Sequence, residues 1–425
     1  MATNGYQLMN ANFWSLSIQN TKNLNKHAVL DLIRFTPGGI SRSEAAQRLD
    51  LSRAAITTIT NDLIESKIIR ETEARNSHGG RPAIILEINP RRGYFVGIDM
   101  GASHISILLT DFSARVIDDI EAPFQISAGP KACIAIADQL LRDLLEKKGL
   151  GVEAISAIGI GVPGPIVSNA GMVIAPPIMP GWDRFPIQET LEKLWGRPIA
   201  LNNDAELGAI GEWAYGAGRG ERNLAYIKVG TGIGSGFLLD GQIYRGATGS
   251  AGEIGHLTID ENGPLCNCGN YGCLEALAGG QAIARQAQDA VKNGKRTVLS
   301  RIQPLENLTA LEVATAARSG DLVAQQIIAQ AGGHLGVAIA GIVNLFNPSM
   351  IVVGGGVAQI GDLFLQPIRD AVQRRSLPAA VRSLKINTAV LMRRSASLGA
   401  VVQASSIALR QIANRKEVME FPKVR

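Results

Sequence analysis

Two stretches of the chain share one layout, and that repeat limits the fold more than anything else in it. "YFVGIDMGASHISILLTDFSARVI", from Tyr94, runs an apolar strand into Asp99-x-Gly101 and returns as a second apolar strand closing at Asp111. About 130 residues later, "LAYIKVGTGIGSGFLLDGQIYRG", from Leu224, repeats the scheme. An apolar strand reaches Gly230-Thr231-Gly232-x-Gly234, and a second strand follows to an Asp240-Gly241 turn. Short apolar runs bounded by glycine read as β-hairpins. Two copies predict a duplicated α/β domain with a cleft between the halves. Glycines at strand ends let backbone N–H groups approach an anion closely, which suits phosphate. A hairpin also needs glycine for its own turn, so each cluster has a purely structural reading as well.

Between the copies lies "ALNNDAELGAIGEW", where a strand ends at Asn203-Asp204 and a helix begins at about Ala205. An Asp at a strand end in such a cleft can serve as general base toward a hydroxyl. It can equally be an N-cap. With 425 residues the chain exceeds one ordinary core. The N-terminus lacks the basic-then-apolar layout of a signal peptide, and no stretch reaches roughly 18 uninterrupted apolar residues. The longest apolar candidate, "HLGVAIAGIVNLFNPSMIVVGGG", is cut by Asn344 and Asn347-Pro348 and reads as a helix followed by a buried strand. Cytoplasmic location and no membrane partner are the expectations, and four reduced cysteines agree with them.

The first ninety residues differ in style. Residues 1–92 hold 12 Lys/Arg against 8 Asp/Glu, most of the net charge of +5. Ser41 and Glu44 form an S-x-x-E capping box for a helix from about Arg42 to Leu49. After the tight connection at Asp50-Leu51, Ser52 caps a second helix, "RAAITTITNDLIESK". Its Ile56, Ile59 and Leu63 recur at helical spacing, which leaves Arg53, Ala54, Thr57, Thr58 and Asn61 on the exposed side. An earlier helix, "NLNKHAVLDLIRF", completes a three-helix core, and "RETEARNSHGGRPAIILEIN" reads as a hairpin with Arg75, His78 and Arg81 near its tip. This is a winged helix-turn-helix pattern, with Ser52 and the exposed residues toward base edges and the arginines toward phosphates.

Three of the four cysteines fall within "CNCGNYGC". His256 stands ten residues before Cys266, with Cys268 two further on and Cys273 five beyond that. One imidazole and three thiolates satisfy a closed, structural zinc site, while the spacing is not the C-x-x-C of thioredoxin-like redox pairs. Cys133, in "KACIAIADQLL", reads as a small core residue.

"GHLTIDENGPLCNCGNYGCLEA" resembles the signature of the ROK family (repressors, open reading frames, kinases). The likeness extends through "HGGRPAIILEIN", "GIGVPGPI", "MPGWDRFPI", "NNDAELGAIGE", "VGTGIGSGF", "GSAGEIGH" and "IVVGGGVAQ". It implies an actin-like, hexokinase-like (ribonuclease H-like) duplicated α/β fold behind an α+β winged helix-turn-helix domain. The expected divisions are 1–90 for DNA binding, 91–215 for the first actin-like half, and 216–425 for the second with its zinc loop. It also implies a sugar site of Asn203, Asp204, Glu253, His256 and Glu275, with His256 sharing its ring between zinc and sugar. In kinases of the family the position of Asp204 is the base, and the glycine hairpins hold ATP and Mg2+. Here that set would be Asp99, Gly101, Gly230, Thr231, Gly232, Gly354 and Gly355. Ala102, Ser103, His104 and Glu206 depart from the kinase pattern. Together with the N-terminal module, these departures favour a sugar-responsive repressor over a sugar kinase with an accessory DNA-binding domain. Its partners would be double-stranded operator DNA, a sugar effector, and further copies of itself as a homodimer or homotetramer.

Overall fold

Two serine caps organise the front of the chain. In the computed structural model, which describes residues 21–73, 84–167, 170–176 and 178–414, α1 (Thr21–Phe35) precedes α2 (Arg42–Leu49) and α3 (Arg53–Glu65). Ser41 Oγ accepts from the Glu44 N–H and Ser52 Oγ from the Ala55 N–H, so both helices start where the sequence places them. Only the Ser41 half of the capping box is formed; the Glu44 carboxylate pairs forward with Arg48 one turn on. Thr60 joins Ile56 and Leu63 in the buried stripe of α3, held by Arg42 Nε at 3.1 Å. β1 (Ile69–Glu73) and β2 (Ile84–Ile88) pair antiparallel, and Ile40 bridges to Leu86 beside them. Three helices are thus followed by an antiparallel strand pair. Arg75, His78 and Arg81 lie outside the described residues.

The first repeat grows into β3 (Tyr94–Met100), β4 (His104–Asp111), β5 (Val116–Pro123), α4 (Pro130–Glu146) and β6 (Ile155–Val162). The small pair β7 (Ile166–Val167) and β8 (Met172–Val173), then α5 (Ile187–Trp195) and β9 (Ile199–Asn203), complete it. Its sheet has the order β5-β4-β3-β6-β9, antiparallel on the β5 side and parallel from β3 to β9. α6 (Asp204–Tyr215) leads to the second half, which opens with β10 (Leu224–Val229), β11 (Ile233–Leu239) and β12 (Gln242–Ile243). Next come α7 (Leu274–Ala278), α8 (Gly280–Lys292), α9 (Ala310–Arg318) and α10 (Leu322–Phe346). β13 (Met350–Gly354), α11 (Asp362–Arg375), α12 (Pro378–Val381), β14 (Lys385–Thr388) and α13 (Ser395–Asn414) finish the chain. Its sheet, β12-β11-β10-β13-β14, repeats the strand order and directions of the first. The duplication read from two hairpins therefore extends to whole sheets. α10 is long and apolar enough by composition to cross a membrane, yet most of it is buried, and Asn347 ends it in a left-handed turn before β13.

α13, last in the chain, returns to the first sheet and packs along β3, β6 and α6. The approach is close: a Cβ on Gly97 or Gly159 would meet Ser397 O at 2.0 Å or Ala400 O at 1.9 Å. Glycine alone admits the helix at that distance. Leu398, Val401, Ala404, Ala408 and Leu409 of α13 share one core with Phe95, Ala157 and the apolar residues of α1 to α3. Ala396, Ala400 and Val402, on the same helix, join a second core with α6 and β10. The N-terminal module is thus packed on α13, and α13 on α6.

Candidate functional site

The strand ends of the two repeats face each other across the cleft, and a lysine sits between them. Lys228, near the end of β10, places Nζ 2.7 Å from Asp204 Oδ2 and 3.5 Å from Asp99 Oδ2. Asp99 is almost wholly buried and its Oδ1 has no hydrogen-bond partner. Burial pushes its carboxyl above the ordinary range, against the pull of the Lys228 ammonium. Burial by itself would lower the Lys228 ammonium; the Asp204 and Asp99 carboxylates more than offset it and hold that group above the usual lysine range. His104 reaches toward the same aspartate, Nε2 lying 3.9 Å from Asp99 Oδ2. Ser103 Oγ and Thr231 Oγ1, one from each hairpin turn, are 3.2 Å apart.

Asn203, not Asp204, is the N-cap of α6: its Oδ1 accepts from the Ala205 and Glu206 N–H groups at 2.8 and 3.1 Å. Its Nδ2 donates to Gly164 O at 3.1 Å, which leaves one amide N–H for a ligand. Asp204, first residue of the helix, is thereby free to point at Lys228. Glu253, half-buried, is pushed up by burial; His256 opposes that rise, while the charges of Asp204, Glu275 and Glu206 add to it. The residues expected to hold a sugar therefore lie within electrostatic reach of one another. Glu275 is already partly engaged, accepting from the Ile233 N–H at 2.9 Å. Its carboxylate lies where a side chain on Gly232 would stand. Glu206 is buried against Arg245, whose Nε donates at 3.1 Å.

The cysteine loop closes directly beneath this cluster. His256, Cys266, Cys268 and Cys273 bring one ligand atom each within 4.8 Å of all the others. Cys268 and Cys273 sulfurs are 3.7 Å apart, and Cys266 Sγ is 3.7 Å from His256 Nδ1. A tetrahedral ion with metal–sulfur bonds of about 2.3 Å needs edges of about 3.8 Å. The four residues can hold such an ion. Nδ1 is the nitrogen turned to Cys266 Sγ, which leaves Nε2 as the other ring nitrogen. Cys273 precedes α7, whose second residue is Glu275. Gly269 and Gly272 supply the positive φ angles, 92° and 63°, that aim the sulfurs inward.

The remaining glycines have mixed roles. Gly230 and Thr231 offer their carbonyls to the Gly280 and Gln281 N–H groups, tying the second turn to the start of α8. Gly354 lies against the Tyr226 ring, and Gly355 takes φ 86° beside Val229. Gly101 packs on His104. On α3, Ser52, Arg53, Ala54, Thr57, Thr58 and Asn61 are all exposed on one side, and Arg42 Nη2 donates to Asn61 Oδ1 at 3.2 Å. Sequence reasoning missed Lys228 and Arg245 as site residues. The only signal for Lys228 was a single charge inside the apolar strand "LAYIKVG".

The paired sheets, with hairpin turns meeting across a cleft, define an actin-like, hexokinase-like α/β protein. The ROK family model matches residues 95–406, and the chain belongs to that family. It is 32% identical over 385 residues to a xylose repressor of Caldicellulosiruptor bescii, a match covering 91% of this chain and 96% of the relative. A glucokinase of Halalkalibacterium halodurans is 35% identical over 304 residues, covering 70% of this chain and 91% of the kinase. A solved ROK family transcriptional regulator, described as a homolog of the E. coli MLC protein, superposes with TM-score 0.78 at 28% identity. That match covers 92% of this chain and 98% of the regulator.

Proposed function

We propose that the chain is a sugar-responsive DNA-binding transcriptional regulator, a cytoplasmic repressor of carbohydrate-utilisation genes that its sugar releases from DNA. The observation that carries this reading is continuity. The sugar-type cluster begins at the N-terminus of α6, α6 packs on α13, and α13 shares its core with the module bearing α3. Arg34 of α1 donates to Val402 O at 3.0 Å and to the Ser405 and Ser406 hydroxyls, clamping the module to α13. A repressor needs such a connection, because a sugar can change operator affinity only by favouring one of two conformers.

In this reading Asn203, Asp204, Glu253, His256 and Glu275 hold vicinal sugar hydroxyls, each carboxylate accepting more than one hydrogen bond. A zinc ion held by His256, Cys266, Cys268 and Cys273 orients His256 and Glu275 and does no chemistry of its own. As a homodimer or homotetramer the protein presents two α3 helices to half-sites of a roughly palindromic operator. Ser52, Arg53, Ala54, Thr57, Thr58 and Asn61 enter the groove, and Arg75 and Arg81 meet phosphates.

The second reading, an ATP-dependent sugar kinase, draws on the glucokinase relative and on the place of Asp204 in the cleft. Phosphate transfer to a sugar panel, abolished by Asp204→Asn, would support it. The repressor reading is tested by fluorescence anisotropy of a duplex from the gene's own upstream region. Tight binding released by one sugar supports it, and binding that no sugar alters refutes the release mechanism.

A further inference from the structure

Nucleotide-dependent phosphoryl transfer makes two demands on a cleft of this kind. A divalent cation must sit on carboxylate oxygens at about 2.0–2.1 Å and keep near-octahedral geometry. A carboxylate must also be free to take the proton of the attacking hydroxyl. Asp99 and Asp204 are the carboxylates placed for these roles, and one oxygen of each, Oδ2, already faces the Lys228 ammonium, while Asp99 Oδ1 is buried without a hydrogen-bond partner. The Lys228 ammonium holds Asp204 at 2.7 Å and stands 3.5 Å from Asp99, with all three side chains at most 17% exposed. A metal ion seated between them would meet a buried positive charge within a few ångströms, and that repulsion opposes the pull of the two carboxylates on the ion. Above this triad the Ser103 and Thr231 hydroxyls join the two hairpin turns that would have to part around a phosphate. The residues present do not fit a nucleotide–magnesium pair.

We propose that Lys228 is the resident cation of the cleft, standing where a divalent metal would be needed. It fixes Asp204 as a hydrogen-bond acceptor for the sugar and keeps the bound sugar from being phosphorylated. The proposal rests on the sugar-binding reading above and deepens it. A sensor that consumed its effector would erase its own signal; a lysine bound to the base position prevents that, while the Asp204 oxygen not bonded to Lys228 stays available to a hydroxyl. Lys228 is accordingly a positioning residue, acting through Asp204.

The test is a titration of full-length, zinc-supplemented protein with Mn2+, followed by electron paramagnetic resonance of the free ion. Wild type and Lys228→Arg, which keeps the cation, should leave Mn2+ free. Lys228→Thr and the near-isosteric Lys228→Met should each gain one site, at least about tenfold tighter than wild type, and lose it when combined with Asp99→Asn. Two results would overturn the assignment. One is a wild-type Mn2+ site abolished by Asp99→Asn, which needs no Lys228 variant to fold. The other is a folded Lys228→Thr or Lys228→Met protein that gains no Mn2+. Calorimetry of wild type with the sugar panel and no nucleotide runs alongside. Absence of any sugar binding there would sink the sugar reading and leave the Mn2+ result to judge the cation assignment separately.

Discussion

Glu212 is fully buried in α6 and joins that helix to the start of α13. Its Oε2 accepts from the Ala217 and Val390 N–H groups at 2.9 and 3.1 Å, and Oε1 accepts from the Leu391 N–H and the Ser395 hydroxyl at 2.9 and 2.7 Å. Glu212→Gln keeps the shape but converts one oxygen to an N–H donor. Whichever way the amide turns, at least one backbone N–H then faces a donor. Hydrogen bonds to a charged acceptor are worth about 1.5–3 kcal/mol each, and an unsatisfied buried donor adds its own desolvation cost, so the change should cost about 3 kcal/mol. Glu212→Ala removes all four acceptances and should cost about 5 kcal/mol. With a urea dependence of about 3 kcal/mol per molar, the Gln variant's unfolding midpoint should fall by about 1 M, read by tryptophan fluorescence. Sugar affinity in the Gln variant should stay close to wild type while release from DNA weakens, because the cut is made between the two sites. A Gln variant whose midpoint moves by less than about 0.2 M would refute the account of this joint.

Other expectations follow from single residues. Cys273→Ser should release the metal, read as a fall from one zinc per chain by atomic emission, and should weaken sugar binding through Glu275; a variant retaining a full equivalent would refute the ligand set. Burial pushes the Asp31 carboxyl up to about 6, with Arg34 and Arg410 opposing. The folded chain therefore holds a proton there that the unfolded chain has lost, and this group's stabilising contribution falls as pH rises from about 4 to 6. Asp31→Asn should then gain stability over wild type across that window, and urea midpoints at pH 4.5 and 7 showing no growing gap would contradict it. Arg53→Ala should weaken binding to all duplexes alike and reduce the salt slope of log K by about 1; an unchanged slope would take Arg53 off the phosphates.

What could be read in advance was local. The serine caps, the two hairpins and the ligand spacing around the cysteines all depend on residues close in sequence, and each stands where expected. In the stripe of α3, Ile56 and Leu63 are buried as expected, but Ile59 is only half-buried and Thr60 is buried beside them. Fidelity weakened wherever a contact joined distant segments. The Glu44 carboxylate had two partners within a turn, and pattern alone could not choose Arg48. The pattern offered Asp204 as a possible cap, and the turn geometry gives that place to its neighbour Asn203 instead. Nothing in the local pattern marks Glu212 as buried, because three of its four donors come from residues 390–395. Chain order puts α13 within the expected second half, 216–425, yet Gly97 and Gly159 reserve its seat on the first sheet. Lys228 was invisible as a site residue because both its partners lie more than twenty residues away.

The central claim is that sugar and operator act on one another through α6, α13 and the N-terminal module. Its most direct measurement is the dissociation constant of the releasing sugar, by calorimetry, with and without saturating operator duplex. Linkage requires the operator to weaken sugar binding by the same factor by which the sugar weakens operator binding, and the account predicts a factor of at least about ten. Equal sugar affinities in the two states would contradict it.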